Sequence, residues 1–192
     1  MSAKFDDWSA VMRNVVVVST VSVDGFVAPA PGAPDHRSAP EDPAAKRTKL
    51  EWLARAGTHV MGRVTYQEMA SHWPHSTHEY AAPMNESPKV VFSKTLDHAE
   101  WNNSRVARGE LAGEISRLRQ EPGGDILAWG GAAFLQGLSR AGLVDEYRLT
   151  INSVALGDGL PLFNGLAAPI ALELVEATTY GTGAALHIYR PA

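Results

Sequence analysis

The chain has 192 residues, 45% of them hydrophobic and 20% charged, with a formal net charge of −4 and no cysteine. That length and apolar content suit one domain with its own core. The lack of cysteine excludes disulfides, thiolate metal sites and cysteine nucleophiles, and an acidic balance without a long basic run points away from nucleic acid and anionic membranes.

Val15 to Val18 is too short to span a bilayer, and Met1 to Asp7, polar and acidic, is unlike a signal peptide. A cytoplasmic protein is therefore expected. The ordered part is predicted to start at Asn14, where four valines in a row read as a central strand buried on both faces. Val23-Asp24-Gly25 is a turn, and Phe26 to Ala28 a short returning strand. Ala28 to Pro43, rich in Pro, Ala, Gly and Asp, reads as a long loop of the functional kind. Ala44 to Ala56 has helical spacing and Gly57 is expected to stop it. Thr58 to Met61 is a strand, followed by a helix opening at Gly62-Arg63-Val64-Thr65-Tyr66 and running to about Ser71.

Trp73 to Pro88 contains three prolines and reads as irregular. Lys89 to Phe92 and Arg105 to Ala107 are short strands, and Gly109 to Gln120 is a helix. Ile126 to Trp129 is a buried strand, Gly130-Gly131 a sharp turn, and Ala132 to Leu138 a helix. Leu143 to Ala155 contains a strand, Gly157 to Phe163 is a loop, and Ile170 to Thr179 pairs with Ala184 to Arg190 as an antiparallel hairpin. Strands alternating with helices, then ending in antiparallel strands, imply an α/β sandwich with a mixed sheet and helices on both faces.

Three strand ends attract a ligand reading. A helix that opens on glycines presents bare N–H groups and the positive end of its dipole, which suits a phosphate; Gly130-Gly131 and Gly62 both do this. Arg63 adds a planar guanidinium and Thr65 a hydroxyl. Ser93 and Lys94 end a third strand. Taken alone, the glycine pair fits an ordinary turn equally well, and the other two fit an ordinary helix start and strand end better. Together they suit a ligand with several phosphates, such as a dinucleotide, although Gly-x-Gly-x-x-Gly is absent. His72, His75 and His78 share a helical spacing, but Pro74 interrupts it, so a solvated loop is expected and no metal site.

In this order, Ser22-x-Asp24-Gly25, Met61-Gly62-Arg63-x-Thr65-Tyr66, Phe92-Ser93-Lys94-Thr95-Leu96, Trp129-Gly130-Gly131 and Gly157-x-Gly159-x-Pro161-Leu162-Phe163 resemble the dihydrofolate-reductase-like superfamily. The likeness is nearest to stand-alone relatives of the reductase domain of the riboflavin-biosynthesis deaminase/reductase, and runs from about Asn14 to Arg190. It implies a single domain of the three-layer dihydrofolate-reductase-like kind. Its sheet is mixed, mostly parallel and eight-stranded, with a C-terminal antiparallel hairpin.

The resemblance also implies an NADPH-dependent reductase acting on a small-molecule substrate, and a homodimer. Gly130, Gly131 and Ala132 would hold the pyrophosphate; Gly62, Arg63 and Thr65 would hold phosphates, with Arg63 selecting the 2′-phosphate. Ser93 and Lys94 would border the adenosine ribose. Ser19, Phe26 and Thr150 would lie at the substrate. Asp24 is the first candidate for a general acid and an ordered water the alternative, while an Asp-Gly turn residue is the plainer reading of Asp24. The acidic residue that binds the pterin in dihydrofolate reductases falls near Lys46 here, with Glu41, Asp42 and Glu51 nearby but out of register. The rival class is a non-catalytic ligand-binding or assembly protein on the same fold.

Overall fold

The computed structural model describes residues 12–30 and 41–192. Met1 to Asp7 and the middle of the Ala28-to-Pro43 loop lie outside the described residues. In chain order the elements are β1 (Val15–Ser22), β2 (Phe26–Pro29), α1 (Pro43–Arg55), β3 (Ala56–Gly62), α2 (Arg63–His72) and α3 (Ala81–Glu86). Then come β4 (Lys89–Phe92), β5 (Ser104–Ala107), α4 (Leu111–Gln120), β6 (Asp125–Trp129) and α5 (Ala132–Arg140). The chain closes with β7 (Glu146–Asn152), β8 (Gly159–Pro161), β9 (Leu172–Thr179) and β10 (Ala185–Pro191).

The valines of β1 set the layering. Val15 and Val17 enter one apolar cluster and Val16 and Val18 another, because successive side chains leave a strand on opposite faces. A strand apolar on both faces needs a helical layer on each. Ile115 and Leu118 of α4 with Leu135 and Leu138 of α5 cover the first face. Leu53 of α1, Tyr66 of α2 and Met84 of α3 cover the second. Each such side chain, fully buried, contributes about 1.5–3 kcal/mol.

Eight strands form one sheet in the order β5-β4-β3-β6-β1-β7-β10-β9, while β2 pairs with β8 in a separate ribbon. Neighbours from β5 through to β7 are parallel; β10 is antiparallel to β7, and β9 to β10. The expected three-layer sandwich, mostly parallel with a C-terminal antiparallel hairpin, is the observed fold. Val18 lies opposite Trp129 on one side and Arg148 on the other, Met61 opposite Trp129, and Gly62 opposite Phe92. The carboxyl ends of β4, β3, β6 and β1 therefore finish side by side, where open α/β sheets gather ligands.

Three local expectations are corrected. Gly57 does not stop α1: the helix ends at Arg55 and β3 begins at Ala56 with no turn between them. Gly57 serves a close approach instead, since a Cβ there would sit 2.6 Å from the Gly124 backbone nitrogen. Trp73 to Pro88 is not irregular throughout. It holds a 3-10 turn at Trp73–His75 and then α3, with Pro83 in the first helical turn, where an amide N–H has no intrahelical partner to lose. The Lys89 ammonium seals the far end of α3, donating to the carbonyls of Met84, Asn85 and Ser87 at 2.9, 3.0 and 2.7 Å. Finally, Gly159–Pro161 is a strand rather than a loop, paired with β2.

The junction of α1 with β3 yields a stability prediction. A Cβ at Gly124 would fall 1.8 Å from the Arg55 carbonyl oxygen, so backbone must move to admit it. Gly124→Ala is expected to cost about 3 kcal/mol. Urea unfolding measures this, and an unchanged midpoint would contradict the tight junction.

Candidate active site

A cavity of about 840 Å³ opens at these strand ends. Its sheet side is formed by Val18, Ser19 and Thr20 of β1 with Thr150 and Asn152 of β7. Thr20 and Thr150 are register partners, so their hydroxyls enter the cavity as a pair across adjacent strands. Gly130, Gly131 and Ala132 border it at the start of α5, and Val64 and Thr65 at the start of α2. Val27, Ala28 and Leu160 add an apolar edge from the β2–β8 ribbon.

The two glycine turns meet because β3 and β6 are neighbours. Neither α2 nor α5 has a side-chain cap, so the leading N–H groups of each helix have no side-chain partner there. By contrast, the Asp42 carboxylate caps α1, accepting from the Ala44 amide at 2.8 Å. Gly131 has φ +80, and a Cβ there would come 2.9 Å from Thr65 Oγ1. A Cβ at Gly62 would touch Phe134 Cβ at 3.3 Å. Phe134 stacks on Phe92 with ring centroids 5.2 Å apart, tying α5 to the end of β4. A side chain at Gly131 or Gly62 would crowd this cradle, where the two helix starts meet. It suits a pyrophosphate held between two helix N-termini.

Of the residues expected at the site, Ser19, Thr65, Gly130, Gly131, Ala132 and Thr150 line this one cavity. Gly62, Arg63, Ser93 and Lys94 stand just outside its lining, at the adjoining ends of β3 and β4. Arg63 is exposed and donates to Gln67 Oε1 at 3.0 Å. Ser93 Oγ accepts from the amides of Thr95 and Leu96 at 3.1 and 2.9 Å, which fixes the turn that carries the exposed Lys94.

Asp24 and Phe26 lie in the β1–β2 connection, beyond the lining. The Asp24 carboxylate accepts from Ser22 Oγ at 2.6 Å and from the amides of Leu156 and Gly157 at 3.1 and 2.7 Å. The Ser22 hydroxyl, then the two amides, hold it down at about 2. An acid that strong is ionised at neutral pH and has no proton to give. In this geometry Asp24 clamps the 154–157 loop to the turn, and Phe26 likewise donates its amide to Ser22 Oγ at 3.0 Å.

Under the cavity floor, His59 is fully buried and its Nδ1 accepts from the Trp129 indole at 2.8 Å, which fixes that ring against the cavity. Burial, with the Lys89 charge adding to it, pushes the His59 imidazole from 6.5 down to about 4. In the unfolded chain His59 takes its proton at the higher pH. The native state therefore keeps the full benefit above pH 6.5 and loses it as pH falls from 6.5 towards 4. The loss is about 3 kcal/mol. His59→Asn keeps an acceptor for the indole and is expected to flatten the stability curve in this interval; an unaltered slope in urea melts would contradict the assignment.

The opposite end of the cavity was not legible from motifs. Glu41 and Asp42 enter it just ahead of α1, and Lys49 from the middle of that helix. Trp73, His78 and Tyr80 enter it from the turn before α3. Lys46, where the resemblance put the pterin-binding acid, instead ion-pairs with Glu79, and neither residue is in the lining. His72 and His78, the candidates for a metal, are ring partners of Trp73, with centroids at 4.6 and 6.5 Å. Among the described residues no helix is long and apolar enough to cross a membrane.

The family model of the RibD C-terminal domain matches residues 13–186. The uncharacterised protein YyaP of Bacillus subtilis is 29% identical over 182 residues, covering 92% of this chain and 94% of the relative. A protein assigned to riboflavin biosynthesis from Shewanella sp. PV-4 superposes with a TM-score of 0.78 at 21% identity, over 93% of this chain and 99% of that one. Dihydrofolate reductase from Enterococcus faecalis, solved in complex with NADP(H), superposes with a TM-score of 0.60 at 14% identity, over 93% and 96%. At these identities the two structures speak for the fold.

Proposed function

We propose, for a chain that belongs to the RibD C-terminal domain family, that it is an NADPH-dependent reductase. Its substrate is a small pterin-like, pyrimidine or sugar-derived molecule, reduced at a C=O or C=N carbon. The observation that supports this most is the meeting of two uncapped, glycine-opened helix N-termini at one cavity. The chemistry that bound NADPH supplies is hydride donation.

The chain's own residues do the rest of the work in this reading. Gly130, Gly131 and Ala132 hold the pyrophosphate with Gly62 and Thr65. Arg63 and Lys94 take the 2′-phosphate, and Ser93 borders the adenosine ribose. Ser19, Thr20 and Thr150 orient the reacting ring and the substrate, with Phe26 supporting the β2 edge. With Asp24 committed to the 154–157 loop, the proton reaches the substrate oxygen or nitrogen from a water held by the Thr20 and Thr150 hydroxyls. Orientation and exclusion of water are the main contributions of such a site. A homodimer belongs to the same proposal, and sedimentation of the purified chain reads it directly.

The test is deuteride transfer. The chain is mixed with NADPH deuterated at the nicotinamide and with a panel of pterins, aminopyrimidines and sugar carbonyls, and products are weighed by mass spectrometry. A product one deuterium heavier supports the reductase. NADPH binding with no transfer across the panel would favour a non-catalytic ligand-binding protein on the same fold.

A further inference from the structure

The end of the cavity remote from the glycine cradle is built for a flat ring. Trp73 and Tyr80, both half-buried, stand edge to face with centroids 6.4 Å apart. His78 packs on Tyr80 at 4.6 Å, extending this wall towards the mouth. Met69, Met84 and Leu53 back the same space, so the wall faces an apolar floor. Such a slot suits a planar heterocycle, because every aromatic ring offers a face for stacking.

The polar groups there select by charge. Lys49 is the single lysine or arginine among the described lining residues, and its ammonium lies 2.6 Å from Glu41 Oε1. Glu41 Oε2 also accepts from the Tyr80 hydroxyl at 2.8 Å, which fixes that ring at the end of the slot. Asp42 and Glu68 bring the lining carboxylates to three, against the one neutralised cation. Carboxylates accept hydrogen bonds from ring N–H and amino groups, and they repel a phosphate ester. Among the described residues, the groups suited to anions, the bare starts of α2 and α5, lie at the other end.

We infer, resting on the reductase reading, that the substrate is a flat, amino-substituted, phosphate-free nitrogen heterocycle stacked against Trp73 and Tyr80. Its donor groups turn towards Glu41 and Asp42. A sugar-phosphate substituent is excluded by the same carboxylates. Trp73, His78 and Tyr80 are then the specificity-determining residues of the substrate end.

Calorimetric titration with neopterin and with neopterin monophosphate, on the full chain with and without saturating NADPH, tests this. Neopterin is expected to bind at least tenfold more tightly than its phosphate. Trp73→Leu should weaken neopterin about tenfold and leave NADPH affinity unchanged, while Trp73→Phe, which keeps a ring, should stay within about threefold of the parent. Equal or tighter binding of the phosphate would overturn the inference, as would neopterin affinity indifferent to Trp73→Leu in a variant that melts like the parent. Binding of neither compound to the NADPH-loaded chain would overturn it while leaving the cofactor reading intact. Failure to bind NADPH would sink the reductase reading instead, and the cofactor-free titrations would then decide the slot by themselves.

Discussion

Gly131→Ala is expected to weaken NADPH about a hundredfold, measured by calorimetric titration. Two costs combine. The backbone at Gly131 has φ +80, a region that costs an L residue about 1–2 kcal/mol. The new methyl would also lie 2.9 Å from Thr65 Oγ1, so the Thr65 side chain or the turn itself must give way. Movement breaks the alignment of the bare N–H groups with the pyrophosphate, and hydrogen bonds to a charged group are worth about 1.5–3 kcal/mol each. A loss of about 3 kcal/mol overall corresponds to the hundredfold figure. Gly142→Ala is the control: it has φ +63 with nothing within 4 Å of its Cβ, and it lies outside the cavity lining. It should lower stability slightly and leave NADPH affinity alone. A Gly131→Ala chain that binds NADPH like the parent would remove the phosphate role from this turn.

The second large effect is a change of cofactor preference. Arg63→Ala should weaken NADPH by about thirtyfold and NADH by less than about twofold. An arginine–phosphate contact contributes about 2 kcal/mol when formed as paired charge-assisted hydrogen bonds. The guanidinium is exposed and, among the described residues, donates to Gln67, so a turn towards a 2′-phosphate costs little. In the proposed reading Lys94, on the next strand end, is the supporting cation. Equal losses for the two cofactors would refute the 2′-phosphate role and leave Arg63 as a general support of α2.

How far the sequence carried can be read from particular residues. The four valines of β1 announce a strand covered on both faces, and two distinct clusters receive them in alternation. Glycine after a short apolar run announces strand-to-helix turns at Gly62 and Gly130, and strand order brings them together. Strand order is a property of the whole chain. The meeting of Thr65 with Gly131 could therefore be suspected from family order, while residue spacing carries no sign of it.

Other features were hidden by local signals that tertiary structure overrides. Three prolines masked α3, whose Pro83 sits where a proline does no harm and whose far end depends on the distant ammonium of Lys89. Gly57 looked like a helix stop because its true neighbour, Gly124, is remote in sequence. Asp24 could be read as a turn residue or as a general acid, and the partners that bear on the choice, the amides of Leu156 and Gly157, arrive from the other end of the chain. Glu41 and Asp42 gave no motif at all. They reach the cavity because α1 starts at its rim, with Asp42 Oδ2 also accepting from the Gly181 amide at 2.9 Å.

In the proposed complex a nicotinamide dinucleotide phosphate lies across the paired glycine turns. Amide hydrogen exchange, followed by mass spectrometry with and without saturating NADPH, tests it most directly. Slowed exchange is expected in the peptides spanning Gly62 to Thr65 and Gly130 to Phe134, with NADH protecting the first of these less than NADPH does. Unchanged exchange in both peptides at millimolar NADPH would contradict it.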